Sequence, residues 1–164
     1  MAAIDERHVL WSTPEAERAG KPLVVLLHGW GSHEGDLFAL APYLPLDAVV
    51  AAPRAFDAHP SGSGFSWFPL PAPGLGTIDP AAVDAAADAL HEWLARVAAE
   101  AADVTLLGFS QGGMIALELA RRHPDAVDRL VFLASMVAPG DEPGDDRLAG
   151  LPVFWGRGTR DDVI

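Results

Sequence analysis

Short, continuous apolar runs alternate with amphipathic segments along most of the chain. The clearest run extends from Leu23 to Leu27 and stops at His28 and Gly29. An unbroken apolar run of this length is typical of a strand that is buried on both faces, as in a parallel sheet. Four more runs follow the same pattern, so the sequence predicts five strands, the other four at residues 48–52, 103–107, 129–134 and 152–155.

Helical periodicity fills the intervals between these runs. Apolar residues recur at three- and four-residue steps from Val83 to Val97, after an Asp79 that can cap a helix and a Pro80 suited to its first position. Further helices are predicted over residues 111–122 and 34–43. Strands that alternate with helices predict an α/β fold whose mostly parallel sheet is covered by helices on both faces.

Two segments interrupt this rhythm. Residues 54–78 are rich in Pro, Gly and Ser, and they also contain the aromatic residues Phe56, Phe65, Trp67 and Phe68. Long loops in compact domains are usually functional or disordered, and the aromatic residues favour a structured, functional loop here. Residues 138–150 form a second, more polar loop.

Composition narrows the class of protein. The chain has 164 residues, half of them hydrophobic, which predicts one domain with a buried core. A net charge of −12 repels phosphate backbones and anionic lipids, so we expect no nucleic-acid partner and no membrane insertion. The chain has no cysteine, which excludes thiolate chemistry. The acidic first residues are wrong for a signal peptide, and no apolar run approaches about 20 residues, so a cytoplasmic location is the default expectation.

The strongest chemical signal is the sequence Gly108-Phe109-Ser110-Gln111-Gly112, which stands where a predicted strand gives way to a predicted helix. In such a turn the serine has a strained backbone, which lifts its hydroxyl clear of the sheet. The two glycines let the strand and the helix approach closely. Ser110 is therefore predicted to be a nucleophile, and the alternative is a serine that only caps the following helix.

A second signal is the sequence Leu27-His28-Gly29-Trp30-Gly31 at the end of the first strong strand. Acyl transfer needs two preorganised N–H donors for the developing oxyanion. One comes from the residue after the nucleophile and the other from the loop after an earlier strand. Gln111 and Trp30 occupy these two positions. The alternative is an ordinary glycine-rich turn.

These motifs resemble those of the phospholipase/carboxylesterase group of α/β-hydrolases, which includes bacterial carboxylesterases and acyl-protein thioesterases. The resemblance extends from Val24 to Ile164, although relatives often have His-Gly where this chain has Arg157-Gly158. It implies the α/β-hydrolase fold in a single domain over residues 1–164. The matching motifs are residues 27–31, 52–54, 64–68, 108–113 and 158–163.

The resemblance implies a serine carboxylesterase. In this interpretation Ser110 is the nucleophile, the N–H groups of Trp30 and Gln111 form the oxyanion hole, and Asp161 orients the catalytic histidine. Asp161 follows the serine, as the chain order of this fold requires, and its alternative role is a capping or surface carboxylate. The implied substrates are short or medium acyl esters, with thioesters and lysophospholipids as further candidates and a lipase as the runner-up enzyme class. No cofactor and no metal are required.

The catalytic histidine is absent from its usual position, because the sequence ends three residues after Asp161. His123 follows Ser110 by thirteen residues of helix, or roughly 20 Å, which is too far for a base. His28 is expected to be buried and hydrogen-bonded, and His33 with Asp36 is too small a set for a metal site. His59, in the long loop, is a weak candidate for the base.

We therefore expect a domain that is incomplete at its C-terminus, lacks the last strand, the last helix and the catalytic histidine, and is nearly inactive as a 164-residue chain. Its last strand should expose an unpaired edge and an apolar patch, which is compatible with a homo-oligomer. The competing hypothesis is a non-catalytic hydrolase-fold module that binds acyl ligands or a partner chain.

An apolar pocket for the acyl group is also expected, because sites for such ligands are mostly apolar. An alternative role for the loop aromatics is to pin the long loop to the domain. The candidate wall residues are Phe65, Trp67, Phe68 and Met136, with Trp30 beside them.

Overall fold

A computed structural model describes residues 3–71, 77–138 and 145–161 of the chain, and a twisted sheet forms its centre. The strands in these ranges are β1 (Val9–Trp11), β2 (Leu23–Leu27), β3 (Val49–Pro53), β4 (Asp57–Ala58), β5 (Phe65–Ser66), β6 (Val104–Phe109), β7 (Arg129–Leu133) and β8 (Val153–Gly156). Six of them form one sheet in the order β1-β3-β2-β6-β7-β8, while β4 and β5 pair as a separate antiparallel hairpin. Within the larger sheet β1 is antiparallel and the other strands are parallel.

The α-helices in the described ranges are α1 (Glu34–Phe38), α2 (Pro80–Val97) and α3 (Gln111–Arg122). As predicted, the Asp79 side chain caps α2 by accepting a hydrogen bond from the Ala81 N–H across 3.0 Å. No helix in these ranges is long and apolar enough to cross a membrane. Single 3₁₀ turns occur at Glu6–His8, Glu15–Glu17, Ala41–Tyr43, Pro124–Ala126 and Asp145–Leu148.

The prediction of one helix over residues 34–43 is wrong about its length. The structure divides it into α1 and the 3₁₀ turn Ala41–Tyr43. Pro42 accounts for the difference, because it lacks the N–H that the interior of a continuous α-helix needs and is tolerated in the first turn of the 3₁₀ segment.

The core lies on both faces of the sheet, as the continuous apolar runs predicted. Alternate residues of β2 point to opposite sides: Val25 packs with α2 and α3, whereas Leu26 packs with α1. All five residues of β2 and of β3 are buried. The predicted α/β architecture, a mostly parallel sheet covered by helices on both faces, is therefore confirmed.

The five predicted parallel strands are present: β2 has the predicted ends, and the ends of the other four differ by at most two residues from the apolar runs. β1 was not predicted, because three residues are too few to show a pattern. The segment 54–78 does contain ordered structure, the β4–β5 hairpin, while residues 72–76 in it and 139–144 in the second loop lie outside the described residues. β8 is one of the two edge strands of the larger sheet, and Val153, Phe154 and Trp155 are exposed there.

The register of the parallel strands aligns their carboxyl ends, which the predicted site residues follow. Phe109 at the end of β6 pairs with Leu133, and Leu133 pairs with Gly156 at the end of β8. Leu27 at the end of β2 pairs with Gly108. The segments that follow β2, β6, β7 and β8 therefore lie next to one another at the carboxyl ends of the strands.

Candidate active site

Ser110 occupies the turn between β6 and α3 in a backbone conformation that L-residues rarely adopt, with φ 51° and ψ −118°. Its N–H donates to the Leu133 carbonyl across 2.9 Å, and its own carbonyl accepts from the N–H of Gly113 across 2.9 Å. A conformation of this kind costs about 1–3 kcal/mol and persists only when the surroundings hold it. The Ser110 side chain makes no capping hydrogen bond to α3, so the helix-capping alternative is not what the structure contains.

The two glycines of the motif allow this turn by close approach of backbones. A side-chain carbon at Gly108 would overlap the carbonyl of Gly112, and one at Gly112 would overlap the carbonyl of Leu27. The first turn of α3 therefore rests directly on the end of β2. This contact brings the helix N-terminus beside the segment that holds Trp30.

The turn that follows β2 lies against Ser110. A side-chain carbon built on Gly29 would stand 3.5 Å from the Ser110 Cβ. Within the described residues, the backbone N–H groups of Trp30 and Gln111 donate to no protein acceptor. Two unpaired donors on either side of a strained serine are what an oxyanion hole requires. That both N–H groups converge on one point stays a prediction.

The β4–β5 hairpin holds the Trp30 turn from outside. The Phe65 carbonyl accepts from the Gly31 N–H across 2.9 Å, and the Phe65 N–H donates to the Ser32 carbonyl across 2.7 Å. The His59 ring stands edge-on to the Trp30 ring, with 4.2 Å between the centroids. The turn is thus fixed on two sides, by Ser110 and by the hairpin.

Arg54, which ends the 52–54 motif, fixes the same region through charge. Its guanidinium makes a two-point contact with the Glu34 carboxylate and lies 4.4 Å above the Phe65 ring centroid. The hydrogen bonds from Arg54 hold the pKa of the Glu34 carboxyl below its usual range. This ion pair connects the start of α1 to the hairpin.

His28 is buried and fully engaged, as expected. Its Nε2 accepts from the Ala55 N–H across 3.1 Å, which assigns the ring proton to Nδ1, and Nδ1 donates to the Gly29 carbonyl across 2.8 Å. Burial lowers the pKa of this imidazole, because a buried charged ring loses hydration. His28 is therefore a neutral structural residue.

No histidine in the described ranges makes a hydrogen bond with Ser110. His59 accepts from the Ser61 N–H at Nδ1 across 3.1 Å, and its Nε2 is buried without a partner in those ranges. His123 bonds the Asp88 carboxylate and stacks on His91, remote from Ser110 at the far end of α3. His33 caps α1, and the part of the chain that the structure describes holds no cluster of three metal-ligating side chains.

Asp161 follows β8, at the same carboxyl ends of the parallel strands at which Ser110 follows β6. Its N–H donates to the Gly158 carbonyl across 3.2 Å, and its carbonyl accepts from the Arg157 guanidinium across 3.2 Å. These bonds close a turn that holds a half-buried Asp161 at the end of the described chain. Residues 162–164 lie outside the described residues, including Val163 of the motif.

The proposed wall residues divide into two groups. Trp67 and Phe68 are only 2% and 1% exposed, so they lie in the core rather than on an open wall. Their contacts match the alternative role, which is to pin the loop to the domain. Phe65 is partly covered by Arg54, whereas Trp30 and Met136 are 45% and 37% exposed.

Sequence reasoning missed Ser135. This side chain is fully buried, and its Oγ donates to the Ser110 carbonyl across 2.8 Å. Ala134 before it has a φ of 42°, which turns the chain toward Ser110 after β7. A single serine after an apolar run gives no sequence signal for such a contact.

The structure combines a mostly parallel sheet with a strained serine turn between β6 and α3. A family profile described as "alpha/beta hydrolase fold" matches residues 22–162. The chain therefore belongs to the α/β-hydrolase fold family. The predicted resemblance is confirmed at this level.

Several of the curated relatives that the chain matches are named as esterases. The chain is 38% identical over 115 residues to a pimeloyl-[acyl-carrier protein] methyl ester esterase of Aromatoleum aromaticum, over 70% of this chain. It is 35% identical over 146 residues to a protein of Nocardia uniformis subsp. tsuyamanensis named "Putative esterase NocK", over 88% of this chain. The chain spans 38% and 41% of the length of these two relatives.

Solved structures of esterases share the architecture. The esterase PE8 structure is 30% identical with a TM-score of 0.74, and the match covers 99% of this chain and 77% of that one. Acyl-protein thioesterase 2 of Zea mays matches with a TM-score of 0.71 at 21% identity, over 95% of this chain and 78% of that one. The second likeness shows the common fold. The homologues of this chain are thus esterase-type α/β-hydrolases.

Proposed function

We propose that this chain carries the nucleophile and the oxyanion hole of a serine esterase, with Ser110 as the attacking residue. The observation that supports this most directly is the backbone of Ser110, with φ 51° in the turn between β6 and α3. A serine that only capped a helix would need no left-handed backbone and would bond the helix N–H groups. Ser110 has the left-handed backbone, and its side chain makes no capping hydrogen bond to α3.

In this mechanism the Ser110 Oγ attacks the carbonyl carbon of an acyl ester while its proton passes to a base. The negative charge that develops on the carbonyl oxygen is stabilised by the N–H groups of Trp30 and Gln111. One such donor is worth about 10²–10³ in rate. The alcohol then leaves with a proton, and water hydrolyses the acyl-enzyme to release the acid and restore Ser110. Asp161 is proposed as the residue that orients the base.

The proposed substrate is a short or medium acyl ester. The names of the relatives, a methyl ester esterase among them, support an oxygen ester ahead of a thioester or a lysophospholipid. Trp30 and Met136 are the wall residues that remain open to solvent near the serine. A pocket that is apolar on these sides would hold the acyl chain.

Labelling by a fluorophosphonate tests the nucleophile. In a longer chain that supplies the catalytic histidine, we expect one modified residue, Ser110, found by mass spectrometry of the peptides, and no labelling of Ser110→Ala. The exposed Ser63 supplies the control, since Ser63→Ala should label like the wild type. Labelling that survives Ser110→Ala would reject the assignment. In an enzyme with a complete triad the same substitution should lower turnover by about 10⁶.

A non-catalytic acyl-binding module is the second candidate, favoured by the absence of a histidine bonded to Ser110 in the described ranges. Without its base, such a serine retains about 10³–10⁴ in rate over water. Hydrolysis of p-nitrophenyl acetate by the 164-residue chain separates the candidates. Slow hydrolysis that depends on Ser110 supports the esterase, while fatty acid binding without labelling supports the module. Full activity that His59→Ala abolishes would identify His59 as the base.

A further inference from the structure

Trp67 joins the two segments that carry the oxyanion donors. Its indole Nε1–H donates to the His28 carbonyl across 2.8 Å, on the segment that continues to Trp30. Its backbone N–H donates to the Gln111 side-chain Oε1 across 2.9 Å. A single residue thus holds the β2 turn with its side chain and the first residue of α3 with its backbone.

The surroundings of Trp67 leave this bridge little freedom. The Trp67 ring lies 5.2 Å from the His28 ring and 5.4 Å from the Phe56 ring, measured between centroids. The Gln111 Nε2 also donates to the Phe68 carbonyl across 2.7 Å, so both polar atoms of this amide are bonded. Gln111 and Trp67 are both buried. Neither segment can therefore shift without breaking a buried hydrogen bond, which is costly.

We propose that Trp67 is a positioning residue that sets the spacing between the Trp30 and Gln111 N–H groups. The proposal rests on the proposed function, because it matters only if these groups stabilise an oxyanion. Oxyanion stabilisation depends on donors that are fixed before reaction, and an error of about 1 Å in such a site can cost 10²-fold in rate. Trp67 acts through the backbone of its neighbours and does not touch the acyl group.

Trp67→Phe tests this by removing the indole N–H and leaving the backbone N–H in place. Trp93→Phe is the matched control: Trp93 is 1% exposed, and its indole N–H has no acceptor in the described ranges. Both variants lose the same atoms from the core, but only the first loses a hydrogen bond. The measurement is the labelling of Ser110 by a fluorophosphonate at several concentrations, which separates the affinity for the reagent from the maximal labelling rate.

We expect Trp67→Phe to lower the maximal labelling rate by about 10-fold or more with little change in reagent affinity, because the loss affects the transition state. Trp93→Phe should stay within about twofold of the wild type. The amide NMR signals of Trp30 and Gln111 should shift in Trp67→Phe and not in Trp93→Phe. If Trp67 only contributes to core packing, the maximal labelling rate and the two amide signals of Trp67→Phe should change no more than those of Trp93→Phe.

Each outcome decides the proposal. If Ser110 labels in the wild type and Trp67→Phe labels equally fast, the positioning role is wrong and the proposed nucleophile stands. If Ser110 does not label in a wild-type chain that also supplies the catalytic histidine, the proposed function fails and the positioning role fails with it. Should Trp67→Phe not fold, Gln111→Met decides instead, since it keeps the Gln111 backbone N–H and removes both side-chain bonds. Unchanged labelling of that variant would overturn the proposal.

Discussion

The buried Ser135 hydroxyl donates a hydrogen bond to the backbone carbonyl of Ser110 across 2.8 Å. The Leu133 carbonyl accepts the N–H of the same Ser110. Residues at the end of β7 therefore hold both sides of the Ser110 peptide backbone. The strain in this turn is balanced by contacts from a neighbouring strand as well as by α3.

Ser135→Ala should lower the free energy of unfolding by about 1 kcal/mol, the usual net value of one hydrogen bond. The cost should not be larger, because the Ser110 carbonyl keeps the N–H donors of Gly113 and Met114. Urea denaturation measures the difference. Ser66→Ala is the control, since Ser66 is also buried and its hydroxyl bonds no described residue. Equal losses in the two variants would show that the Ser135 hydrogen bond contributes nothing.

Gly112→Ala should destabilise the protein by about 1–3 kcal/mol, the usual cost of overpacking. Within a helix, alanine is normally better than glycine by about 1 kcal/mol, so the sign tests the contact itself. The added carbon would overlap the Leu27 carbonyl and push α3 away from β2. Gly158→Ala is the control, because its nearest neighbour would be at 3.8 Å. A Gly112→Ala variant that is more stable than the wild type would contradict this packing.

The free energy of unfolding should depend on pH through the ionisation of Asp88. Hydrogen bonds from Arg122 lower the pKa of the Asp88 carboxyl from 3.8 to about 2, with a further contribution from His123. Because the folded pKa lies below the unfolded one, the stabilisation is complete above about pH 4 and disappears as the pH falls through about 2. The Asp88 side chain is partly exposed, so screening limits the effect to about 0.5–1 kcal/mol.

The measurement is denaturation of the wild type and Asp88→Asn between pH 7 and pH 2. We expect Asp88→Asn to be less stable at pH 7 and the two proteins to become equal near pH 2. Asp47→Asn is the control, since Asp47 is exposed and makes no ion pair with a described residue. A stability difference that persists unchanged at pH 2 would refute the linkage to Asp88 ionisation.

The sequence predicted the parts of this molecule that depend on local pattern. Unbroken apolar runs gave β2 and β3, and the Gly-x-Ser-x-Gly motif predicted the strained turn at Ser110. The sequence did not predict the contacts between segments that are distant along the chain. The bridge from Trp67 to His28 and Gln111 joins three parts of the chain, and nothing in the residues near Trp67 distinguishes a core anchor from a pocket wall. Aromatic residues fit both roles, and only tertiary packing decides between them.

The last prediction concerns how the site selects acyl chains. Trp30 is 45% exposed beside the Ser110 turn, and Met136 follows Ser135, which contacts Ser110. Trp67 and Phe68 are only 2% and 1% exposed, so they offer almost no surface to a ligand. The exposed indole of Trp30 is therefore a large apolar group that can contact an acyl chain beside the serine.

Trp30→Ala keeps the backbone N–H for the oxyanion and removes only the indole. It should leave labelling by an ethyl fluorophosphonate nearly unchanged and slow labelling by a decyl fluorophosphonate by about 3–10-fold. Each methylene buried against the indole contributes up to about 0.8 kcal/mol, and an open wall covers only one or two. Tyr43→Ala is the control, because Tyr43 is an exposed aromatic residue between α1 and β3 that should affect neither reagent. An equal loss for both reagents would mean that Trp30 supports the oxyanion turn without forming a wall of the acyl site, because a wall would discriminate by chain length.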